Sequence, residues 1–352
     1  MSNPKLFAPL TLRGVTFSNR VAVAPMCQYS ATDGLAGPWH LQHYGAMAAS
    51  GPGLIVLEAT AVVPEGRISA NDLGLWDDRT QAALTGLVAT LKGFGDSRIG
   101  VQLGHAGRKG ADARPWGGEA KGWQILAPSA LAFDETRMVP RALGLDEIAR
   151  LPHSFAAAAA RADKVGFDTI ELHSAHGYLL HQFLSPLANQ RADQYGGSLE
   201  NRMRLPLAVV EAARAAWPVD KPLGIRISAT DWLEGGFTLD EAVVYAKEFA
   251  KRGIDYVCVS SGGVVPKAPV PIGPGYQLAL AERIRAETGL ITRAVGLIAE
   301  PHQAESALAE GKADVIALGR AFLDDPRWVW RAAEALGAEI KRPPQYAASL
   351  PN

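Results

Sequence analysis

The chain has 352 residues, of which 48% are hydrophobic and 20% are charged, and its net charge is -1. This composition is typical of a soluble globular protein, and the balanced charge argues against a nucleic-acid partner. The longest apolar runs are too short to span a membrane, the N-terminus lacks a signal-peptide pattern, and two cysteines are too few for a disulfide scaffold or an iron–sulfur cluster. We therefore predict a cytoplasmic protein without a membrane segment.

Residues 5–20 alternate around Arg13-Gly14 and predict a short N-terminal β-hairpin. After it, β-branched strands, polar loops and amphipathic helices alternate along the chain. Thr238 and Glu241 form a capping box that opens a helix over Leu239–Arg252. Glycines at 166, 253, 289 and 311 end helices, as a left-handed residue after the last turn requires. The predicted strands are Val21–Ala24, Leu54–Leu57, Ile99–Leu103, Thr169–His173, Leu223–Ser228, Tyr256–Ser260, Leu290–Val295 and Asp314–Leu318.

Eight strands that alternate with helices predict a parallel sheet, and eight is the number in a (β/α)8 TIM barrel of class α/β. A doubly wound sheet is the alternative. Its dinucleotide fingerprint is missing, because Gly51-Pro-Gly53 precedes a strand and lacks the third glycine. Two connections are longer than a barrel needs: residues 104–150, predicted to cap one mouth, and residues 177–198. We predict one domain over residues 1–352.

In a barrel, the residues just past each strand face the same mouth, where chemistry is usually found. His173 and His176 can direct two imidazole N–H groups at one oxygen, and Tyr178 can donate a proton in the same pocket. Glycines after strands 7 and 8, followed by Arg320, predict a phosphate site. The other residues at this mouth are Pro25, Met26, Cys27, Tyr29, Glu58, Ala59, Thr60, Gln102, His105, Arg226, Ser260–Gly263, Gly296 and Gly319.

Each of these residues also has a purely structural interpretation. Arg226 could pair with a core carboxylate such as Glu171, and Cys27 could be a small packed thiol. Gly319-Arg320 could simply start a helix, and His105 could be structural. The His-x-x-His pair could hold a metal, although no third ligand stands out. Only the coincidence of an arginine, a phosphate nest, a glutamine and a set of proton donors favours a site for a phosphorylated, electron-accepting ring.

A set of motifs runs almost from end to end of the chain, and together they are highly specific. They are Asn19-Arg20, Ala24-Pro-Met-Cys-Gln-Tyr29, Glu58-Ala59, Pro64-Glu-Gly-Arg-Ile68, Gln102-Leu-Gly-His-Ala-Gly-Arg-Lys109, Ala127-Pro-Ser129, His173-Ser-Ala-His-Gly-Tyr178, Tyr195-Gly-Gly-Ser-Leu-Glu-Asn-Arg202 and Gly319-Arg320. With them, the chain resembles the old yellow enzyme family of FMN-dependent ene-reductases, in particular the bacterial class that includes xenobiotic reductase A and YqjM-like enzymes.

The resemblance implies that FMN lies on the barrel mouth and that NADPH or NADH is the hydride donor. It implies that Cys27 tunes the flavin potential, that Tyr29, His173 and His176 bind the substrate, and that Tyr178 is the proton donor. The implied contacts to the cofactor come from Ala24, Pro25, Met26, Cys27, Ala59, Gln102 and Arg226 at the ring, and from Gly296, Gly319 and Arg320 at the phosphate.

The implied reaction reduces the activated C=C bond of an α,β-unsaturated carbonyl or nitro compound, by hydride transfer from FMN N5 and protonation by the tyrosine. Two alternatives stay open: a flavoenzyme like 2,4-dienoyl-CoA reductase, and a metal-dependent barrel hydrolase that would use His105 and the His pair. The family implies a homodimer or homotetramer. Its usual C-terminal aromatic–Arg segment is only half present here, because Tyr346 fits the pattern but Ala348 stands at the arginine position.

Overall fold

Eight parallel strands close into a barrel, in which each strand pairs with the strands that precede and follow it in the series. The computed structural model describes residues 4–118, 120 and 122–349. The predicted (β/α)8 barrel is confirmed, and the strands β3, β4, β5 and β8 to β12 form it. In chain order, β1 to β12 are Leu10–Leu12, Val15–Phe17, Val21–Val23, Leu54–Ala61, Arg98–Gly104, Leu126–Ala127, Arg141–Ala142, Thr169–Ser174, Leu223–Ser228, Tyr256–Ser260, Ile291–Ala294 and Val315–Leu318.

The helices lie outside the barrel and follow the predicted start and stop signals. In the capping box, the Glu241 N–H donates to Thr238 Oγ1, and the Thr238 N–H donates to Glu241 Oε2. This helix ends at Lys251, one residue earlier than predicted, and Gly253 has a φ of +89°. In chain order, α1 to α10 are Pro38–Ala48, Asp78–Lys92, Leu145–Val165, Leu179–Leu184, Leu199–Ala216, Leu239–Lys251, Leu278–Thr288, Pro301–Ala309, Arg320–Asp324 and Trp328–Leu336. Within the described ranges, none of the helices has both the length and the apolar character needed to cross a membrane.

The hairpin of β1 and β2 closes the end of the barrel where the strands begin. Its antiparallel register pairs Leu12 with Val15 around the predicted Arg13-Gly14 turn. Phe17 packs against Leu54 and other buried residues at the starts of the barrel strands. The opposite end, where the strands finish, is therefore the end that is available for chemistry.

Strand β4 is the largest departure from the predicted strands, because it continues four residues past Leu57 to Ala61. The apolar run stops at Glu58, and this is why the prediction ended there. Glu58 is nevertheless fully buried, and its carboxylate accepts hydrogen bonds from the Gln28 N–H and the Tyr44 hydroxyl. Glu58 thus belongs to the barrel wall, and its predicted place among the mouth residues is wrong.

The long connection after β5 carries the cap, but its predicted limits of 104–150 are too wide. Gly104 still belongs to β5, and the helix α3 already begins at Leu145. The second long connection contains the short helix α4 and is tied to the cap. Arg191 Nη1 donates to the carbonyl oxygens of Pro128 and Leu143, at 2.8 and 2.7 Å.

The barrel interior contains one ion pair among apolar side chains. Glu171 on β8 pairs with Arg293 on β11, and both side chains are almost completely buried. Gln102 Nε2 donates to Glu171 Oε1 at 2.7 Å. Because Glu171 is occupied by these two partners, the structural interpretation of Arg226 as its partner does not hold.

Candidate active site

The turn after β3 lies at the mouth of the barrel and is held in shape from behind. Pro25, Met26 and Cys27 are half-buried, whereas β3 itself is fully buried. The Gln28 N–H donates to Glu58 Oε2 at 2.8 Å, which fixes the chain between Cys27 and Tyr29. Tyr29 then takes a left-handed conformation with a φ of +48°, which few non-glycine residues adopt.

The Cys27 sulfur is a protonated thiol at neutral pH. Desolvation raises its pKa well above the ordinary value, and the nearby charges of Asp72 and Glu58 add to that effect. A neutral, half-buried thiol at the strand end is compatible with a contact to an uncharged ring, and it is a poor nucleophile.

The end of β8 brings His173, His176 and Tyr178 together, as the sequence predicts. The ring centroids of His173 and His176 lie 5.2 Å apart, and those of His173 and Tyr178 lie 4.9 Å apart. All three side chains belong to one wall of the mouth. Sequence spacing alone places them on one loop, and the barrel turns them toward a common volume.

Both imidazoles are neutral. Burial lowers the pKa of His173 and His176 well below the ordinary value, and the Arg226 cation lowers both further. His173 Nδ1 accepts the Ala175 N–H at 3.3 Å, so the proton of this ring is on Nε2. His176 Nε2 lies 2.8 Å from Ser260 Oγ. Each ring therefore offers one N–H donor, and its position depends on these neighbours.

Tyr178 is a protonated phenol with a cation beside its ring. Burial raises the pKa of this phenol well above its ordinary value of 10. The Lys109 ammonium lies 4.9 Å from the Tyr178 ring centroid and donates to the His176 carbonyl oxygen at 2.9 Å. Burial, with the charges of Arg137 and Arg108, lowers the pKa of Lys109 to about 8.

Arg226 is a buried cation that lacks an anionic partner. Arg226 lies on β9 and is 7% exposed. Its Nε has no hydrogen-bond partner among the described residues. None of the ion pairs in the described part of the chain includes it. Leaving a buried charge uncompensated costs several kcal/mol. An electron-rich heterocycle at the mouth would provide the missing acceptors, so Arg226 fits the pyrimidine edge of a flavin.

The predicted phosphate end lies where β11 and β12 finish. Gly296 has a φ of +133°, and a Cβ there would lie 2.9 Å from Gln277 Nε2. Gly319 precedes α9, and a Cβ there would lie 3.4 Å from Met26 Sδ, which places this end beside the turn after β3. The Arg320 side chain is exposed. Backbone N–H groups at two glycines and one exposed guanidinium fit a phosphate monoester.

The remaining predicted contacts are distributed around the same mouth. Ala59 on β4 is in register with Gln102 on β5, and Gln102 uses one amide proton for Glu171. The Ala24 N–H pairs with Leu318 just before Gly319. The Tyr29 ring meets the exposed Trp116 of the cap edge-on, with centroids 5.8 Å apart.

His105 does not behave as a metal ligand. It is buried, its Nδ1 accepts the Gly107 N–H at 3.0 Å, and burial lowers its pKa to about 4. In the ranges that the structure describes, no group of three His, Cys, Asp or Glu side chains is arranged to hold a metal ion. The geometry therefore gives no support to the hydrolase alternative.

Two residues at the site, Lys109 and Ser228, were missed, and the contact made by Ser260 was not predicted although the sequence placed this residue at the mouth. Ser260 contacts His176, Lys109 contacts Tyr178, and the Ser228 hydroxyl accepts the His176 N–H at 2.9 Å. They come from β10, the cap and β9. Lys109 lies in a motif that carries the resemblance, and this was the one available signal in the sequence.

Comparison with known proteins finds matches over nearly the whole chain. The model of the NADH:flavin oxidoreductase / NADH oxidase family matches residues 5–339. An NADPH dehydrogenase from Geobacillus thermodenitrificans is 47% identical over 346 residues, which cover 98% of this chain and 98% of that protein.

Solved structures with the same fold have related names. Morphinone reductase superposes with a TM-score of 0.81 at 32% identity, over 98% of this chain and 93% of that one. An old yellow enzyme homologue from Zymomonas mobilis has a TM-score of 0.79 at 28% identity, over 96% and 94%. The chain also matches 2-naphthoyl-CoA reductase, with a TM-score of 0.86 at 25% identity over 94% of its own length, but it covers only 52% of that longer protein.

Proposed function

Because the chain belongs to the NADH:flavin oxidoreductase / NADH oxidase family, we propose that it reduces activated C=C bonds of α,β-unsaturated carbonyl or nitro compounds. The chain is a flavin oxidoreductase with FMN as its cofactor and a nicotinamide as the hydride donor, and the resemblance to old yellow enzymes is confirmed. The proposal concerns the acceptor and the roles of the residues at the mouth.

One observation carries the proposal: two neutral imidazoles and one protonated phenol converge beside an unpaired buried arginine. A carbonyl or nitro oxygen that gains negative charge needs hydrogen-bond donors, and the neighbouring carbon then needs a proton. His173, His176 and Tyr178 meet both needs without any charged acid. When bound, FMN supplies hydride transfer from the nicotinamide to the β-carbon of the acceptor.

Both histidines can donate to the acceptor oxygen only in particular tautomers. His173 has its proton on Nε2, because Ala175 occupies Nδ1. We assign the proton of His176 to Nδ1, with the Ser260 hydroxyl donating to Nε2 at 2.8 Å. The Ser260 hydroxyl has one proton, and we place it on the shorter of its two contacts, the 2.8 Å contact to His176 Nε2, because Gln277 Oε1 at 3.3 Å already accepts from Ser261 at 2.6 Å.

Tyr178 is proposed to protonate the α-carbon of the acceptor. Its raised pKa keeps the phenol protonated at every physiological pH. A carbon that carries enolate charge is a stronger base than a phenolate, so the transfer remains favourable. Tyr29, on the opposite turn, is proposed to contact the acceptor, with Trp116 behind it.

Separate half-reactions test these roles. Tyr178→Phe should leave the rate of flavin reduction by NADPH unchanged, because the nicotinamide needs no proton donor. It should slow reoxidation by cyclohexenone by a factor on the order of 10². Stopped-flow absorbance measures both rates. Equal slowing of the two half-reactions would mean that Tyr178 positions the bound molecules and is not the acid.

A panel of acceptors tests the substrate class and the rival function. Enones, nitroalkenes and maleimides should turn over with NADPH or NADH, whereas a protein purified without flavin that hydrolyses esters would contradict the proposal. A CoA thioester of an unsaturated acid is included, because 2-naphthoyl-CoA reductase shares the fold. The free thiols Cys27 and Cys258 support a reducing cytoplasm as the compartment. A homodimer or homotetramer remains a prediction.

A further inference from the structure

The turn that carries the proposed substrate-binding residues is strained. His176 and Gly177 both have positive φ angles, +58° and +71°. For histidine this conformation costs about 1 kcal/mol or more. No residue other than glycine fits at position 177, because a Cβ there would lie 2.1 Å from the Gly263 carbonyl oxygen. Strain of this kind persists only where the surroundings hold the chain in place.

Four side chains from three elements, the cap, α4 and β9, hold the four backbone polar groups of this turn. The His176 N–H donates to Ser228 Oγ at 2.9 Å, and its carbonyl oxygen accepts from Lys109 Nζ at 2.9 Å. The Gly177 N–H donates to His181 Nδ1 at 2.9 Å, and its carbonyl oxygen accepts from Gln182 Nε2 at 2.7 Å. These bonds fix the direction in which His176 and Tyr178 leave the backbone.

His181 differs from the other three because it is itself held by a buried carboxylate. Its Nε2 lies 3.0 Å from Asp231 Oδ1, and both side chains are completely buried. Asp231 Oδ2 accepts from the Ser185 hydroxyl at 2.6 Å and from the Phe237 N–H at 2.7 Å. Although burial opposes it, His181 and these hydrogen bonds hold the pKa of Asp231 below its usual range.

The three side chains Ser185, Asp231 and His181 do not form a hydrolytic triad. The serine hydroxyl donates to the aspartate, His181 Nδ1 accepts the Gly177 N–H, and His181 Nε2 faces the Asp231 carboxylate at 3.0 Å. No nitrogen remains to act as a base for the serine. Through Nδ1, His181 contacts the His176–Gly177 turn at the backbone N–H of Gly177.

We propose that His181, oriented by Asp231, is a positioning residue for acceptor binding: its Nδ1 anchors Gly177 and thereby aims His176 and Tyr178 at the acceptor. The inference rests on the proposed function, in which His176 and Tyr178 contact the acceptor. Its basis is that a small misplacement of a group in a site can cost about 10²-fold in rate. A carboxylate behind the ring fixes Nε2 as the protonated nitrogen, so Nδ1 always accepts.

Substitutions of His181 test the roles of its two ring nitrogens separately. The Oδ1 of asparagine occupies the position of Nδ1, so His181→Asn keeps the acceptor for Gly177. His181→Gln places an amide near Asp231 instead, and His181→Leu removes both contacts. In the FMN-loaded proteins, the leucine and glutamine variants should bind 4-hydroxybenzaldehyde at least about tenfold more weakly, and asparagine should stay within about threefold. Titration of the flavin visible spectrum gives these dissociation constants.

A matched control removes a buried backbone anchor at the other end of the barrel. Asn19 is 6% exposed, and its Oδ1 accepts from the N–H groups of Val21 and Gly53 at 3.1 and 2.8 Å. Asn19→Leu should lower the melting temperature but leave FMN content and the phenol dissociation constant unchanged. If Asn19→Leu and His181→Leu weaken phenol binding equally, or if asparagine fails to rescue, His181 has only a structural role.

Steady-state kinetics with cyclohexenone provide the second measurement. In His181→Leu, kcat should fall more than the rate of flavin reduction by NADPH, and His181→Asn should restore it. A wild-type protein that binds phenols but reduces none of the acceptors would overturn the proposed function and leave the binding test of His181 intact. Wild-type turnover combined with unchanged phenol affinity in both His181→Leu and His181→Gln would overturn the inference alone.

Discussion

Burial sets the protonation state of almost every titratable side chain at the mouth. It keeps His173 and His176 neutral and Tyr178 and Cys27 protonated. The positive charge at the site therefore comes from Arg226 and Lys109. Among these groups, only Lys109 has a pKa close to the working pH, at about 8. The mouth is therefore a set of neutral donors beside the positive charges of Arg226 and Lys109.

Ser260→Ala tests the assigned tautomer of His176. Without the Ser260 hydroxyl, the His176 proton is free to move to Nε2, and the ring then presents a lone pair to the acceptor oxygen. The phenol dissociation constant should rise about three- to tenfold, which corresponds to one lost hydrogen bond of about 1 kcal/mol. Ser261→Ala is the matched control, because that hydroxyl contacts Gln277 and not His176. Equal effects in the two variants would contradict the assignment.

Lys109→Met tests the buried ammonium through the pH dependence of stability. The pKa of Lys109 is about 8 in the folded protein and 10.5 ordinarily. Between these values the unfolded chain binds a proton that the folded chain does not. The free energy of unfolding of the wild type should therefore rise with pH relative to the variant, by at most about 1.4 kcal/mol per pH unit.

Urea unfolding of the FMN-saturated proteins at pH 7 to 9.5 measures this difference. Below pH 8 both states of the wild type hold the proton, so the difference should be flat there. Lys251→Met, which removes an exposed lysine of α6, controls for the loss of a lysine. A difference that stays constant from pH 8 to 9.5 would show that Lys109 is not buried as a cation.

Among the elements, the cap depends most on contacts outside itself. Its own regular structure consists of the 3-10 turn Gly107–Lys109 and the two-residue strands β6 and β7. The second long connection holds the cap through hydrogen bonds. Arg191 donates to two cap carbonyl oxygens, and the Gln190 N–H donates to Ser129 Oγ. The cap in turn supplies Lys109 and Trp116 to the mouth. The two loops therefore act as one unit at the site.

Arg191→Met should loosen the cap and leave the barrel intact. The substitution leaves the Pro128 and Leu143 carbonyl oxygens without a partner, at a cost of about 1–3 kcal/mol. We expect faster proteolytic cleavage between residues 110 and 130, with unchanged far-UV circular dichroism. Arg204→Met on α5 is the control, because this arginine contacts Gln194 and Asn201 outside the cap. Cleavage at the wild-type rate would mean that the cap is held by its own contacts.

For the whole molecule, the two buried arginines of the barrel strands differ, because one is paired with a carboxylate and the other is not. Arg293 is paired with Glu171 in the interior, whereas Arg226 at the mouth has no partner within the described residues. A buried cation without a counter-charge destabilises the cofactor-free fold. We propose that this cost in stability is recovered when FMN binds and provides the acceptors that Arg226 lacks.

Arg226→Met should raise or preserve the melting temperature of the FMN-free protein and reduce the rise that FMN produces. Loss of a charge-assisted contact of about 1.5–3 kcal/mol should weaken FMN binding about 10- to 100-fold. Thermal unfolding with and without added FMN measures both effects. Arg320→Ala is the contrasting variant: this exposed arginine should affect FMN affinity but not the FMN-free melting temperature. A destabilised FMN-free Arg226→Met protein would mean that Arg226 already has a structural partner.

The sequence alone determined the barrel and most of its strand boundaries. Short apolar runs alternate with amphipathic stripes, and glycines such as Gly166 and Gly289 end helices because they tolerate positive φ. It also determined that His173, His176 and Tyr178 share one loop, since they lie within six residues of one another. Local chemistry and local periodicity decide these features, so they can be read without long-range contacts.

Only the tertiary structure decided how those residues are held. Glu58 interrupts an apolar run, and its burial depends on partners 14 and 30 residues away, Tyr44 and Gln28. Whether Arg226 or Arg293 pairs with Glu171 depends on which side chains point into the barrel. The periodicity of the strands does not predict which of the two arginines forms the pair. The anchors of the His176–Gly177 turn come from the cap, α4 and β9. The anchors from the cap and β9 lie 67 and 52 residues from His176 in the sequence, so these hydrogen bonds exist only once the barrel has closed, and no local pattern encodes them.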